Sequence, residues 1–108
     1  MADLQLTPRL LIVPVNTPVL LTCEVRYSGT VPYSVHWYSN MPDASPLHQN
    51  LNEEGNSVLT FTLVPTSEYN DTRIHCSMVT NERHNPDTGR SEPATLKVFS
   101  KGKNFQLL

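Results

Sequence analysis

Two cysteines, Cys23 and Cys76, and a single tryptophan, Trp37, constrain this chain more than any other feature of its 108 residues. Each sits in a stretch where every second residue is apolar. In Val19-Leu20-Leu21-Thr22-Cys23-Glu24-Val25, positions 19, 21, 23 and 25 share one face, and in Ser34-Val35-His36-Trp37-Tyr38, Val35 and Trp37 do the same. Ile74, Cys76 and Met78 repeat the pattern. A period of two is the signature of a β-strand with one face buried, so three strands aim Cys23, Trp37 and Cys76 at a common interior.

The same period continues elsewhere. Leu59 and Phe61, with Leu63, mark a further inward-facing strand, and Ala94, Leu96 and Val98 mark another. Leu4-Gln5-Leu6 and the run Leu10 to Val13 read as one strand broken at Pro8, because proline cannot donate to a ladder and is confined to an edge. Between Ser39 and Asn56 the chain holds Pro42, Pro46 and Gly55 without clean alternation, which leaves room for one short strand. No stretch has a helical period long enough to form a helix. The expected class is all-β, with residues 1–108 forming one domain of ordinary size.

Cys23 and Cys76 are too far apart in sequence for the close Cys-x-x-Cys pair of metal and redox sites, and no third cysteine is present. One disulfide or two reduced core thiols remain. A disulfide would point to an oxidising, extracellular compartment, and thiols to an intracellular one.

Composition removes several function classes. A formal charge of −2 supplies no basic field for a phosphate backbone, so nucleic acid is not an expected partner. The longest apolar run, Leu10 to Val13, stops at Pro14 and is too short to cross a bilayer. Met1-Ala2-Asp3-Leu4-Gln5 does not resemble a secretion signal, and the bare Met-Ala start suggests a module excised from a longer protein. There is no Gly-x-Ser-x-Gly elbow, phosphate loop or His-Glu-x-x-His zinc helix. No catalytic residue, metal ligand or cofactor is expected.

Taken together, Leu21-Thr22-Cys23, Val35-His36-Trp37-Tyr38, Leu59-Thr60-Phe61 and the second cysteine followed by Ser91-Glu92-Pro93-Ala94-Thr95-Leu96 resemble the immunoglobulin superfamily over roughly residues 4–99, leaving 100–108 as a tail or linker. The resemblance implies an antiparallel β-sandwich whose two sheets are joined by a Cys23–Cys76 disulfide with Trp37 packed against it, the strands holding Cys23, Trp37, Leu59, Cys76 and Leu96 taking the family's B, C, E, F and G places. The short gap between Trp37 and the Leu59 strand is similar to the C2 or I sets. One departure stands out: where the family often has a tyrosine two residues before the second cysteine, pinning the E–F corner, this chain has Ile74. Ile74 keeps the core contact, and the turn is expected to be held instead by local bonds from Asn70, Asp71 or Thr72 side chains to backbone.

Ser67-Glu68-Tyr69-Asn70-Asp71-Thr72 with Ser91-Glu92-Pro93-Ala94 looks like the extracellular repeats of adhesion and immune-type receptors. That implies a protein partner, another copy of the chain included, and membrane attachment only through a region outside this fragment. Two surfaces are candidates. The outer face of strands C, F and G would carry His36, Tyr38, Arg73, His75, Ser77 and Lys97, a mixture suited to apolar and hydrogen-bonded contact. Its two histidines, facing outward on neighbouring strands, could sense pH together but lack a third ligand for zinc. The alternative is the loop end, with Tyr27, Tyr33, Arg83, His84 and Arg90, in a Tyr-Ser-Gly connector and a long polar hairpin. Asn70-Asp71-Thr72 is the one valid glycosylation sequon, since Asn16-Thr17 precedes proline. The competing expectation is an intracellular structural spacer of the muscle-protein type.

Overall fold

The computed structural model describes residues 2–41, 46–81 and 88–100. In those residues the chain forms nine strands: β1 (Ala2–Thr7), β2 (Leu10–Pro14), β3 (Val19–Tyr27), β4 (Tyr33–Ser39), β5 (His48–Glu53), β6 (Ser57–Leu63), β7 (Thr72–Thr80), β8 (Thr88–Arg90) and β9 (Ala94–Phe99), with one 3-10 turn at Ser67–Tyr69. They make two sheets. One has the order β1-β3-β6; the other has β2-β9-β7-β4-β5, with β8 also paired to β7.

The first strand changes sheets at the proline. β1 runs antiparallel to β3, while β2, after the cis Thr7–Pro8 bond, lies parallel to β9 in the opposite sheet. A single interrupted strand thereby covers an edge of both layers. The one strand expected between C and E is β5, antiparallel to β4. Strand G divides in two: β8 pairs with Ser77–Val79 and β9 with Thr72–Ile74, along the same edge of β7. Ser91 bridges the break, its N–H donating to the Cys76 carbonyl at 2.9 Å and its hydroxyl accepting from the Cys76 N–H at 3.1 Å.

The core follows the period-two reading. Leu21, Cys23, Val25, Val35, Trp37, Cys76, Met78 and Val98 are fully buried, and Ile74 and Leu96 nearly so. Cys23 and Cys76 form a disulfide across the sheets with a Cα–Cα separation of 6.4 Å, and Trp37 sits directly opposite Cys76 in the β4–β7 register. Phe61 packs on the indole at 5.4 Å, while the indole N–H donates to Asn50 Oδ1 at 3.3 Å. A buried indole needs such a partner. Leu59, Phe61 and Leu63 face inward but stay partly exposed, because β6 is the edge of the three-stranded sheet.

The E–F corner is held differently from the local bonding expected of it. Asn70 Oδ1 accepts the Val98 N–H at 2.9 Å, a contact spanning 28 residues. The Val98 amide points toward β7, which begins only at Thr72, so the carboxamide supplies the ladder rung that the strand does not. Asp71, at φ 65°, sends its own N–H to Leu96 O at 2.9 Å and its carboxylate to Lys97. A tie to the last strand thus occupies the place of the missing tyrosine bond.

Candidate partner-binding face

Alternation that buries Trp37 and Cys76 turns their neighbours outward, so the outer face of the larger sheet is built from the intervening residues of β4, β7, β8 and β9. Register sets them in rows. His36 lies opposite Ser77, which lies opposite Arg90; Tyr38 lies opposite His75; Arg73 lies opposite Thr95. At the far end Lys97 pairs with the Asp71 carboxylate, so its charge is already met.

The centre of the face is an aromatic stack. Tyr38 lies between His36, with centroids 6.0 Å apart and planes 23° from parallel, and His75, at 5.4 Å and 21°. The two histidines are therefore joined through the phenol ring. His36 Nδ1 is buried with no hydrogen-bond partner. Burial, and secondarily the positive field of Arg90, holds the His75 pKa below its ordinary value, since both disfavour the imidazolium.

Two hollows adjoin the stack at His75. One, of about 250 Å³, is lined by Ser39, Asn40, Arg73, His75, Arg90 and Pro93. The other, of about 270 Å³, adjoins it across His75 and Arg90 and runs along Ser77, Met78, Val79 and Thr88. Arg90 Nη2 is 3.5 Å from His75 Nδ1. Among the described residues neither Arg73 nor Arg90 has an acidic partner, whereas Arg26 is paired with Glu24 at 2.9 Å.

The loop-end alternative does not keep its residues. Tyr33 is fully buried, its hydroxyl 2.5 Å from Gly55 O and 2.6 Å from Ser57 Oγ, and Tyr27 packs edge-on against it at 5.3 Å. Both continue the inward phase of β3 and β4, and that phase, rather than the loop-like composition around them, decides where they point. Arg90 likewise leaves the loop: it lies on β8, at the sheet face. Arg83 and His84 lie outside the described residues. Asn70 is half-buried at the opposite end of β7. The described residues contain no group of three or more metal-ligating side chains, and no helix long and apolar enough to cross a membrane.

The two-layer topology, the inter-sheet disulfide and the tryptophan against it define an immunoglobulin-like domain. Comparison with solved structures agrees. The chain superposes on an ICAM-5 D1-D4 ectodomain fragment with a TM-score of 0.73 at 18% identity, covering 96% of this chain and 29% of that one. It also matches, with a TM-score of 0.64 and 18% identity, a chain from a structure described as the structural basis of T cell specificity and activation by the bacterial superantigen toxic shock syndrome toxin-1, covering 92% of this chain and all of that one. No protein-family model and no curated protein sequence matches.

Proposed function

We propose that the chain is an extracellular protein-recognition domain of a cell-surface or secreted receptor, serving adhesion or immune recognition through the outer face of β4, β7, β8 and β9. One observation carries the reading: a stacked His36–Tyr38–His75 centre is flanked by two arginines that no acid of the described fold neutralises. Tyrosine and arginine are enriched among the residues that carry interface energy, and a broad sheet face can supply the roughly 800 Å² per partner of an ordinary specific contact. The disulfide suits an oxidising compartment and weighs against an intracellular spacer. The ICAM-5 fragment is described as an ectodomain, which points the same way. A glycan on Asn70, two residues before β7 begins, belongs to this proposal.

The test is binding by a multimer of the domain to recombinant ectodomains, and to itself by sedimentation equilibrium, with face and loop variants compared. Tyr38→Ala and Arg73→Glu should weaken binding about tenfold or more with melting temperature almost unchanged. If both bind normally while Arg83→Ala with His84→Ala abolishes binding, the loop end is the site.

A further inference from the structure

Resting on the face reading above, we propose that the hollow between Arg73 and Arg90 is a receptor site for a carboxylate side chain of the protein partner, an exposed glutamate or aspartate. Arg73 on β7 and Arg90 on β8 line the same 250 Å³ hollow, and none of its six lining residues is acidic. Two cations beside one hollow repel each other until an anion enters between them, and a carboxylate is matched by the guanidinium fork.

The other charges of the fold show that this pair stands apart. Lys97 is held by Asp71 and Arg26 by Glu24, and the Arg9 guanidinium donates to Pro93 O at 3.2 Å. Of the acids two residues away in sequence, Asp71 is taken by Lys97 and Glu92 lines a separate hollow with Asp3 and Arg9. Arg73 and Arg90 are therefore the arginines of the described fold left with no anion or carbonyl to satisfy them.

The backbone around the site is fixed. The Arg73 N–H donates to Asn40 Oδ1 at 2.8 Å, and the Asn40 N–H to Arg73 O at 3.0 Å, which locks the base of the arginine to the end of β4. Arg90 is held against His75 on the neighbouring strand. With the backbone fixed at both positions, the entropy lost when the anion arrives is confined to the two side chains.

A protein acid fits better than a free anion because the site continues. Past His75 and Arg90 the second hollow runs beside Val79, which is 39% exposed. A residue following the acid in an extended partner segment can lay an apolar side chain there. Inorganic phosphate or a sugar acid fills only the first hollow.

The experiment is a titration of the ¹⁵N-labelled domain at low salt with the capped peptide Gly-Glu-Val-Gly and its glutamine counterpart, alongside inorganic phosphate and N-acetylneuraminate. The glutamate peptide should give saturable shifts at Arg73, His75 and Arg90. The glutamine peptide, and the glutamate peptide on Arg73→Gln or Arg90→Gln, should bind about tenfold more weakly, with melting temperatures unchanged. Equal shifts from both peptides, shifts mapped elsewhere, or tighter binding of phosphate or N-acetylneuraminate than of the glutamate peptide would overturn the proposal. The two readings fail separately. Partner binding lost in Tyr38→Ala but intact in both arginine variants removes the carboxylate site and keeps the face; binding indifferent to all three removes both.

Discussion

Replacing Asn70 with alanine tests the account of the E–F corner most directly. The Asn70 side chain accepts the N–H of Val98, a residue with no exposed surface, and no strand reaches that amide from the β7 side. Truncation leaves a buried donor unmet. That penalty is about 1–3 kcal/mol, against the roughly 5–15 kcal/mol that holds a domain of this kind folded. Each kcal/mol moves the midpoint of a chain near 100 residues by about 4 °C or more, so Asn70→Ala should melt about 4–12 °C below the wild type in calorimetry. Two controls separate the bond from the sequon that contains it. Asn70→Asp keeps an acceptor at the same reach while removing the glycosylation site, and Thr72→Val removes the site without touching Asn70. Asn70→Asp should stay within about 1 kcal/mol of the wild type. An Asn70→Ala midpoint within about 2 °C of the wild type, in unglycosylated protein, would refute the claim that this carboxamide stands in for a ladder rung.

Other expectations follow from the same contacts. The disulfide closes a 53-residue separation, which in the chain-entropy treatment corresponds to about 4 kcal/mol, so Cys76→Ala should destabilise the domain by about 2–5 kcal/mol in denaturant titration. An unchanged midpoint after full reduction would contradict this. Gly29 lies against the hydroxyl end of the Tyr27 ring, where an added Cβ would overlap the phenol oxygen; Gly29→Ala should displace Tyr27 and cost about 1–3 kcal/mol, read by thermal melting and by loss of Tyr27–Tyr33 ring-current shifts. Because the folded His75 pKa lies below the ordinary 6.5, the unfolded chain takes up this proton first as pH falls. The histidine's contribution is thus fully present above pH 6.5 and declines as pH drops from there toward the folded pKa. His75→Gln should flatten that part of the stability profile, and an identical slope in both proteins would exclude His75 as its source.

The parts of the fold legible in the sequence are those that a period of two decides alone. Cys23, Trp37 and Cys76 each sit mid-strand among alternating apolar neighbours, so their direction follows from local pattern, whereas the disulfide between the sheets is what the family resemblance implies, since the pattern alone equally admits two reduced thiols. Tyr27 and Tyr33 obey the same rule. Counting on from Val25 gives Tyr27 inward, and counting back from Val35 gives Tyr33 inward, yet the Ser-Gly-Thr chemistry between them reads as an exposed loop. In this fold the phase outranks the composition, because a tyrosine whose hydroxyl reaches Gly55 O and Ser57 Oγ can be buried without an unmet polar group.

What the sequence could not show is set by breaks in the ladder rather than by its period. Strand G is interrupted at Ser91–Pro93, and only the tertiary pairing shows that β8 resumes along β7, carrying Arg90 out of a long polar loop and onto the sheet beside His75. Gly89 lets β8 lie close over β1 in that position, since a Cβ there would already stand 3.1 Å from Leu4 Cδ1. The Asn70–Val98 bond has the same origin: it exists because β7 starts two residues too late to pair with the end of β9. Both features that distinguish this domain, its side-chain rung and its arginine pair, thus lie where regular strand pairing stops. Side chains there must meet groups that the ladder leaves open, or remain available to a partner.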